Sequence, residues 1–304
     1  MDRSFIIRLV ISIVLLSLII YFIGWGKIEE ALLKANLKLI LIAIIIENLG
    51  VFITSKRWQI MLKIREINVN YRDAVAYYFI GTFFNAVMPS SIGGDIIKAY
   101  KLGRKISNEE AFASVFMDRL MGLIALLLIV FIIIFVYHSI IPYTAIWLSI
   151  FFSLATAISL LFLIKTKIPE KIIEFLFKKW EKAKEFFLGI VIAIKNYKNR
   201  NLILKAFIIS LFYQLILIFN NYILALALGI KTSLVYFFIF IPIAEILVVL
   251  PITIRGFGIR ESTYAILFSS VGVDYAKSFS MGFLNQLVKV SVSIVGGIIH
   301  VLKS

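Results

Sequence analysis

Pro89-Ser90-Ser91-Ile92-Gly93-Gly94-Asp95 separates two apolar stretches, residues 74–88 and 94–102, each too short to cross a bilayer comfortably. A proline followed by two serines and then two glycines cannot continue a helix, so the chain is predicted to break here. Basic residues lie on both sides of the break, with Lys56, Arg57, Lys63, Arg65 and Arg72 before it and Lys98, Lys101, Arg104 and Lys105 after it. Because such residues collect on the cytoplasmic side, the simplest geometry is a hairpin that enters from the cytoplasm, turns inside the membrane and leaves on the same side. A second segment of this kind follows later. Residues 234–250, holding Pro242 and Glu245, run into Pro251-Ile252-Thr253-Ile254-Arg255-Gly256-Phe257-Gly258-Ile259-Arg260-Glu261, and a short helix is predicted from there to about residue 271.

The sequence around the two breaks is overwhelmingly apolar. Of 304 residues, 62% are hydrophobic, where a soluble domain carries about 45–50%, and this excludes a soluble globular protein. Full spans are predicted at residues 5–24, 39–60, 109–137, 144–164, 201–227 and 278–302. The first is read as a retained span, since no small-residue cleavage pattern follows it. The fold class expected is an all-α integral membrane protein with six full spans and two re-entrant broken-helix hairpins, or eight spans if each hairpin is a true pair. The whole chain is read as one polytopic domain, residues 1–304.

Charges are few, 16% of residues, and lopsided: 32 Lys plus Arg against 17 Asp plus Glu, a net +15. Placing both termini in the cytoplasm puts 22 of the 32 cations on that side and only Lys27, Lys34, Lys38 and Lys231 outside. A cytoplasmic membrane location with both ends inside is therefore expected. Residues 165–200, with ten Lys or Arg against four Glu and interleaved Ile, Leu, Phe and Trp, read either as an amphipathic helix on the anionic lipid surface or as a basic linker.

Each half, residues 1–138 and 139–304, has two spans, a broken hairpin and a third span, and the halves start on opposite sides of the membrane. That is the inverted-repeat pattern of secondary transporters. The spacing agrees: 23 residues separate Asp95 from Asp118, and 24 separate Glu261 from Asn285.

A broken helix in lipid leaves backbone N–H and C=O groups unpaired, so two breaks imply an internal polar site. Gly93, Gly94, Gly256 and Gly258 allow close backbone approach, and the half-helices that start there point their positive ends at an anion such as a lipid phosphate. An equally simple reading makes these glycines turn residues, with Asp95 and Glu261 as ordinary helix-start acids. Asp118 and Arg119 lie near mid-depth in their span. As sequence neighbours they point to different helix faces, so each needs another partner, and Asp95, Glu245 and Glu261 are candidates for Arg119. A structural ion pair and a substrate contact are both open. Glu47 and Glu245 have no evident partner in the sequence.

There is no HExxH, no phosphate-binding GxxxxGK[ST] loop and no cysteine, and His138 and His300 stand at span ends. No metal, cofactor or nucleic acid is expected, and no catalytic residue is assigned.

In the run from Pro89 through Asp95 to Lys98, then Asp118-Arg119-Leu120, then Pro251 to Glu261, the chain resembles the transmembrane flippase-like family that includes the membrane region of bacterial lysylphosphatidylglycerol synthase/flippase proteins. The resemblance covers essentially the whole length. It places Pro89, Gly93, Gly94, Asp95, Asp118, Arg119, Pro251, Gly256, Gly258 and Glu261 at family motif positions, with Lys98 where an arginine is common, and implies movement of a lipid or lipid-linked headgroup between leaflets. No aminoacyl-transferase region occurs up to Ser304, so lysyl transfer is not expected. With Arg255 and Arg260 added from the second break, these positions form the expected binding site for a membrane phospholipid or lipid-linked substrate. Other readings of the same architecture are a small-solute or ion transporter, and a non-catalytic partner of a lipid-modifying enzyme or glycosyltransferase. A protein partner or homo-oligomer is left open.

Overall fold

The computed structural model describes residues 17, 21, 24–88, 93–139, 141–249, 253 and 256–303. The predicted first span, apart from residues 17, 21 and 24, and the break residues Pro89, Pro251 and Arg255 lie outside the described residues. Twelve helices and no strand occur among the described residues: α1 (Trp25–Leu33), α2 (Leu37–Ile64), α3 (Tyr71–Val87), α4 (Gly93–Gly103), α5 (Asn108–Tyr137), α6 (Tyr143–Lys165), α7 (Ile168–Leu176), α8 (Glu181–Lys195), α9 (Arg200–Ala227), α10 (Leu234–Val249), α11 (Ile259–Ser269) and α12 (Tyr275–Leu302). Five of them, α2, α5, α6, α9 and α12, are long and apolar enough to cross a membrane.

Short polar side chains set where the long helices start. Asn36 accepts the backbone N–H groups of Lys38 and Leu39, and Asn70, Ser107, Asn199 and Asp274 do the same for α3, α5, α9 and α12. Between the caps most residues are apolar, so much of a helix meets protein and lipid with similar side chains. α6 buries little of itself, and Trp147, Phe151 and Leu154 are exposed on it, as a lipid-facing span requires.

α4 and α11 have 11 residues each, about 16 Å, roughly half of a hydrocarbon core. α4 folds back against α3 through a close backbone approach. A Cβ on Gly94 would run into the Gly81 carbonyl, and the Gly94 N–H donates to Asn85 Oδ1 at 2.7 Å. At the second break, Gly256 and Gly258 have φ of 76° and 84°, which L side chains rarely adopt, and this lets the chain turn into α11 within three residues.

α3 packs on α12 and α10 packs on α5; α2 and α9 lie against each other; α8 docks on α5, and α1 on α12. The main core sits where α9, α10, α11 and α12 converge, around Phe237, Phe240, Tyr264 and Phe268.

Two expectations need correction. Residues 165–200 are not one helix. They form α7, which buries no residue, and α8, whose Val191, Ala193 and Ile194 pack with Met61, Ala113 and Met117 on the bundle. Also, Arg57 and Lys98, counted above among the cytoplasmic cations, are buried, with 4% and 3% of their surface exposed. Each has internal anionic and aromatic partners, which offset the loss of water.

Candidate functional site

The first break and the span after it build a buried ionic cluster. Asp118 of α5 is wholly buried. Its Oδ1 accepts from Arg57 Nε of α2 at 2.7 Å, and its Oδ2 accepts from the Tyr78 hydroxyl of α3 and from Lys98 Nζ of α4 at 3.4 Å. One carboxylate thus holds four helices together, and Arg57 extends the network to α9 by donating to Ser210 Oγ at 3.3 Å. The Lys98 ammonium also lies 4.0 Å from the Tyr78 ring centroid and 4.8 Å from that of Trp58, where the negative faces of the rings favour a cation. Asp95 stands 3.9 Å from Lys98 and accepts from Arg119 Nε. Arg119 is the more exposed member, with 40% of its side chain open, and it points away from Asp118 as adjacent helix positions must. Three cations face two carboxylates.

A second cluster forms beyond the other break. Glu245 of α10 accepts from Lys289 of α12 at 3.0 Å and from Arg260 of α11 at 3.3 and 3.4 Å. Arg260 is 2% exposed. Its Nε and Nη1 find no hydrogen-bond acceptor among the described residues. Glu261 behaves partly as a helix-start acid, since the Gly258 N–H donates to its Oε2 at 2.8 Å, while Oε1 meets no donor among the described residues. Asp95 pairs instead with Arg119 and Lys98, while Asn85 takes the Gly94 N–H at the start of α4. The two break acids therefore differ in role. Deeper in the bundle, Tyr264 and Asn285 both donate to Asn221 Oδ1 at 2.9 Å, and Asn220 donates to Glu47.

α9 joins the two sets. Ser210, Gln214 and Asn221 recur at helical spacing on its buried side, with Ser210 against Arg57, Gln214 donating to the Gly122 carbonyl, and Asn221 in the Tyr264–Asn285 network. Over 11 residues this polar stripe covers about 16 Å of an otherwise apolar interior.

Of the positions singled out from sequence, Asp95, Lys98, Asp118 and Arg119 meet in one cluster with Gly93 and Gly94 beside them, and Arg260 and Glu261 start α11 behind Gly256 and Gly258. Arg255 lies outside the described residues. Arg57, Tyr78, Ser210, Asn221 and Tyr264 were not singled out. Arg57 sits one turn after Gly50–Thr54 and one turn before Met61, on the buried side of α2, and that periodicity is the signal that marks it as internal. No group of His, Asp and Glu able to hold a metal ion occurs among the described residues.

Fold and site together define a multi-pass all-α membrane protein whose broken helices carry buried charges. The chain belongs to the lysylphosphatidylglycerol synthase TM region family, whose profile matches residues 5–297. It is similar over nearly its full length to two UPF0104 membrane proteins. One, from Pyrococcus horikoshii, is 26% identical, covering 97% of this chain and 96% of the relative. The other, from Methanocaldococcus jannaschii, is 25% identical, covering 97% and 94%. A UPF0104 membrane protein of Methanothermobacter thermautotrophicus is 36% identical over 37% of this chain and 34% of its own length. No solved structure matches.

Proposed function

We propose that this protein is a lipid transporter that moves a phosphate-bearing lipid, or lipid-linked headgroup, between the leaflets of the cytoplasmic membrane, and that it performs no covalent chemistry. The observation that carries the reading is Arg260: a guanidinium buried in the bundle at the start of a half-helix, held by Glu245 through one nitrogen and presenting two further donor nitrogens to no acceptor among the described residues. Leaving such donors unmet in a dry interior costs about 1–3 kcal/mol or more. A phosphate oxygen there would satisfy them. Arg57, Lys98 and Arg119 supply positive charge in the other half.

The reciprocal packing of α3 on α12 and α10 on α5 supports reading residues 1–138 and 139–304 as inverted repeats, with α3–α4 and α10–α11 as re-entrant hairpins. Rocking of one repeat against the other would open the charged interior to each side in turn. Both termini are assigned to the cytoplasm, on the side of the basic ends of α2, α4 and α7–α8.

The test uses proteoliposomes carrying phospholipids labelled in one acyl chain, with an impermeant quencher reporting the leaflet. Wild-type protein is expected to equilibrate an anionic phospholipid between leaflets, and Arg260→Gln to slow this by about tenfold for the loss of charge-assisted contacts. Labelled lipid that stays put while soluble phosphate crosses would make the protein a solute transporter. No movement of lipid or solute by wild type, with assembly onto an enzyme partner retained in both wild type and Asp95→Asn, would favour a partner subunit.

A further inference from the structure

α4 carries a groove on its outer side that the charged clusters do not use. Two cavities flank the helix and share Ile97 and Tyr100. The first, about 440 Å³, is walled by Ile96, Phe112 of α5 and Phe186 of α8 and is almost wholly apolar. The second, about 370 Å³, is walled by Lys101, Arg104, His300 and Lys303, with Phe84 behind them. Together they make one groove with an apolar compartment and a basic compartment on either side of a shared wall. Phe112 and Phe186 meet edge to face at 5.5 Å, which fixes the apolar wall across two helices.

The basic compartment is not neutralised from within. Lys303 shares Asp73 with Lys105, at 3.2 and 3.1 Å. Lys101 and Arg104 pair with no carboxylate among the described residues, and Arg104 is steadied by Tyr100, through its hydroxyl at 3.4 Å and its ring at 5.2 Å. Both lie at the end of α4 that meets the end of α12, where a membrane surface would be. From Arg104 the same helix climbs about 13 Å, nine residues, to Asp95 and its partner Arg119.

We infer that this groove holds an anionic phospholipid of the adjoining leaflet, its phosphate on Lys101 and Arg104 and one acyl chain against Ile96, Phe112 and Phe186. Charge complementarity selects an anion, and the joined apolar compartment selects one that carries a hydrocarbon chain. The groove gives the proposed transport a first binding station below Asp95–Arg119; its role rests on that reading, although its occupancy does not.

Full-length protein in phosphatidylcholine nanodiscs containing a trace of spin-labelled phosphatidic acid tests this through the immobilised fraction of label. Lys101→Gln with Arg104→Gln is expected to lower the relative affinity for phosphatidic acid by about tenfold, whereas the equally charge-depleted Lys178→Gln with Lys179→Gln, off the groove, leaves it unchanged. Ile96→Trp, which fills the apolar compartment with both cations intact, is expected to lower it as well. Equal losses in the K101Q/R104Q and K178Q/K179Q variants would reduce the effect to a general surface field and overturn the inference. So would displacement of the label by inorganic phosphate at equal concentration, which would mark a soluble-anion site. Binding that depends on Lys101 and Arg104 in a protein that moves no lipid would sustain the groove and end the transport reading; transport without such binding would do the reverse.

Discussion

Asp118→Asn removes one charge from the most densely paired point in the protein and scarcely changes its volume. The carboxylate faces Arg57 at 2.7 Å and Lys98 at 3.4 Å, and all three side chains are buried. At an effective dielectric constant of 20, two unit charges at those separations attract by about 6 and about 5 kcal/mol before desolvation. Desolvation offsets much of this, and removing one partner of a buried pair typically destabilises by about 3–5 kcal/mol because the other partner stays buried and unpaired. With Asn at position 118 the cluster of Arg57, Lys98, Arg119 and Asp95 holds a net +2 in place of +1. Pairing the substitution with Arg57→Met restores +1, and R57M/D118N is expected to recover at least half of the lost stability. Equilibrium unfolding in mixed micelles measures this, with Trp58 as a local reporter, since its ring lies 4.8 Å from Lys98 Nζ. A D118N loss under about 1 kcal/mol, the size of an exposed pair, or strictly additive losses for R57M and D118N, would refute the reasoning.

Further outcomes follow from other contacts. Gly94→Ala sets a methyl against the Gly81 carbonyl, where only backbone can yield, and is expected to lower stability by about 1–3 kcal/mol or more. Gly122→Ala meets side-chain ends rather than backbone, Arg57 Nη1 at 3.2 Å and Gln214 Nε2 at 3.5 Å, with no contact under 3.0 Å, and should cost less in the same thermal melt. The chain has no cysteine, so single cysteines at Ser91 and Ser262 can be probed with impermeant thiol reagents. Opposed hairpins predict labelling of Ser91→Cys from the cytoplasm and of Ser262→Cys from outside, and labelling of both from one face would end the inverted-repeat reading. At the polar connection, the Lys195 ammonium hydrogen-bonded to Glu170 holds that carboxyl below its ordinary value of 4.5. A depressed acid stabilises above its unfolded pKa and loses that contribution as pH falls through the folded value. Proteolysis at residues 166–180 should therefore accelerate on acidification below pH 4.5 in wild type, and depend much less on pH in Glu170→Gln.

The helical boundaries were legible because breaks and caps are local chemistry. Hydropathy located α2, α5, α6, α9 and α12 to within a few residues, and proline and glycine located both interruptions. The partner of Arg119 came down to three acids, of which Asp95 is the one in contact. Arg57 was misread because it adjoins Lys56 at the end of a span, and a run of cations looks solvated until helical phase is considered: Lys56 faces out while Arg57 turns inward. Glu47–Asn220 and Tyr264–Asn221 lie beyond sequence reading for another reason. Their partners are 173 and 43 residues apart, and nothing in an uncharged amide says which carboxylate or hydroxyl it will meet.

The resting place of α3 bears on how the protein is made. α3 packs on α12, and Ser293 donates to the Thr82 carbonyl across that contact at 3.2 Å. α12 leaves the ribosome roughly 170 residues after α4, on the order of ten seconds or more of synthesis. During that interval the nascent chain holds Asp95, Lys98 and Asp118 in a half-built bundle with one wall missing. The Arg57–Asp118–Tyr78 bonds, all made within the first half, are available to keep those charges paired until the last helix arrives. A chain stalled before α12 is thus expected to engage insertion chaperones or membrane proteases for longer.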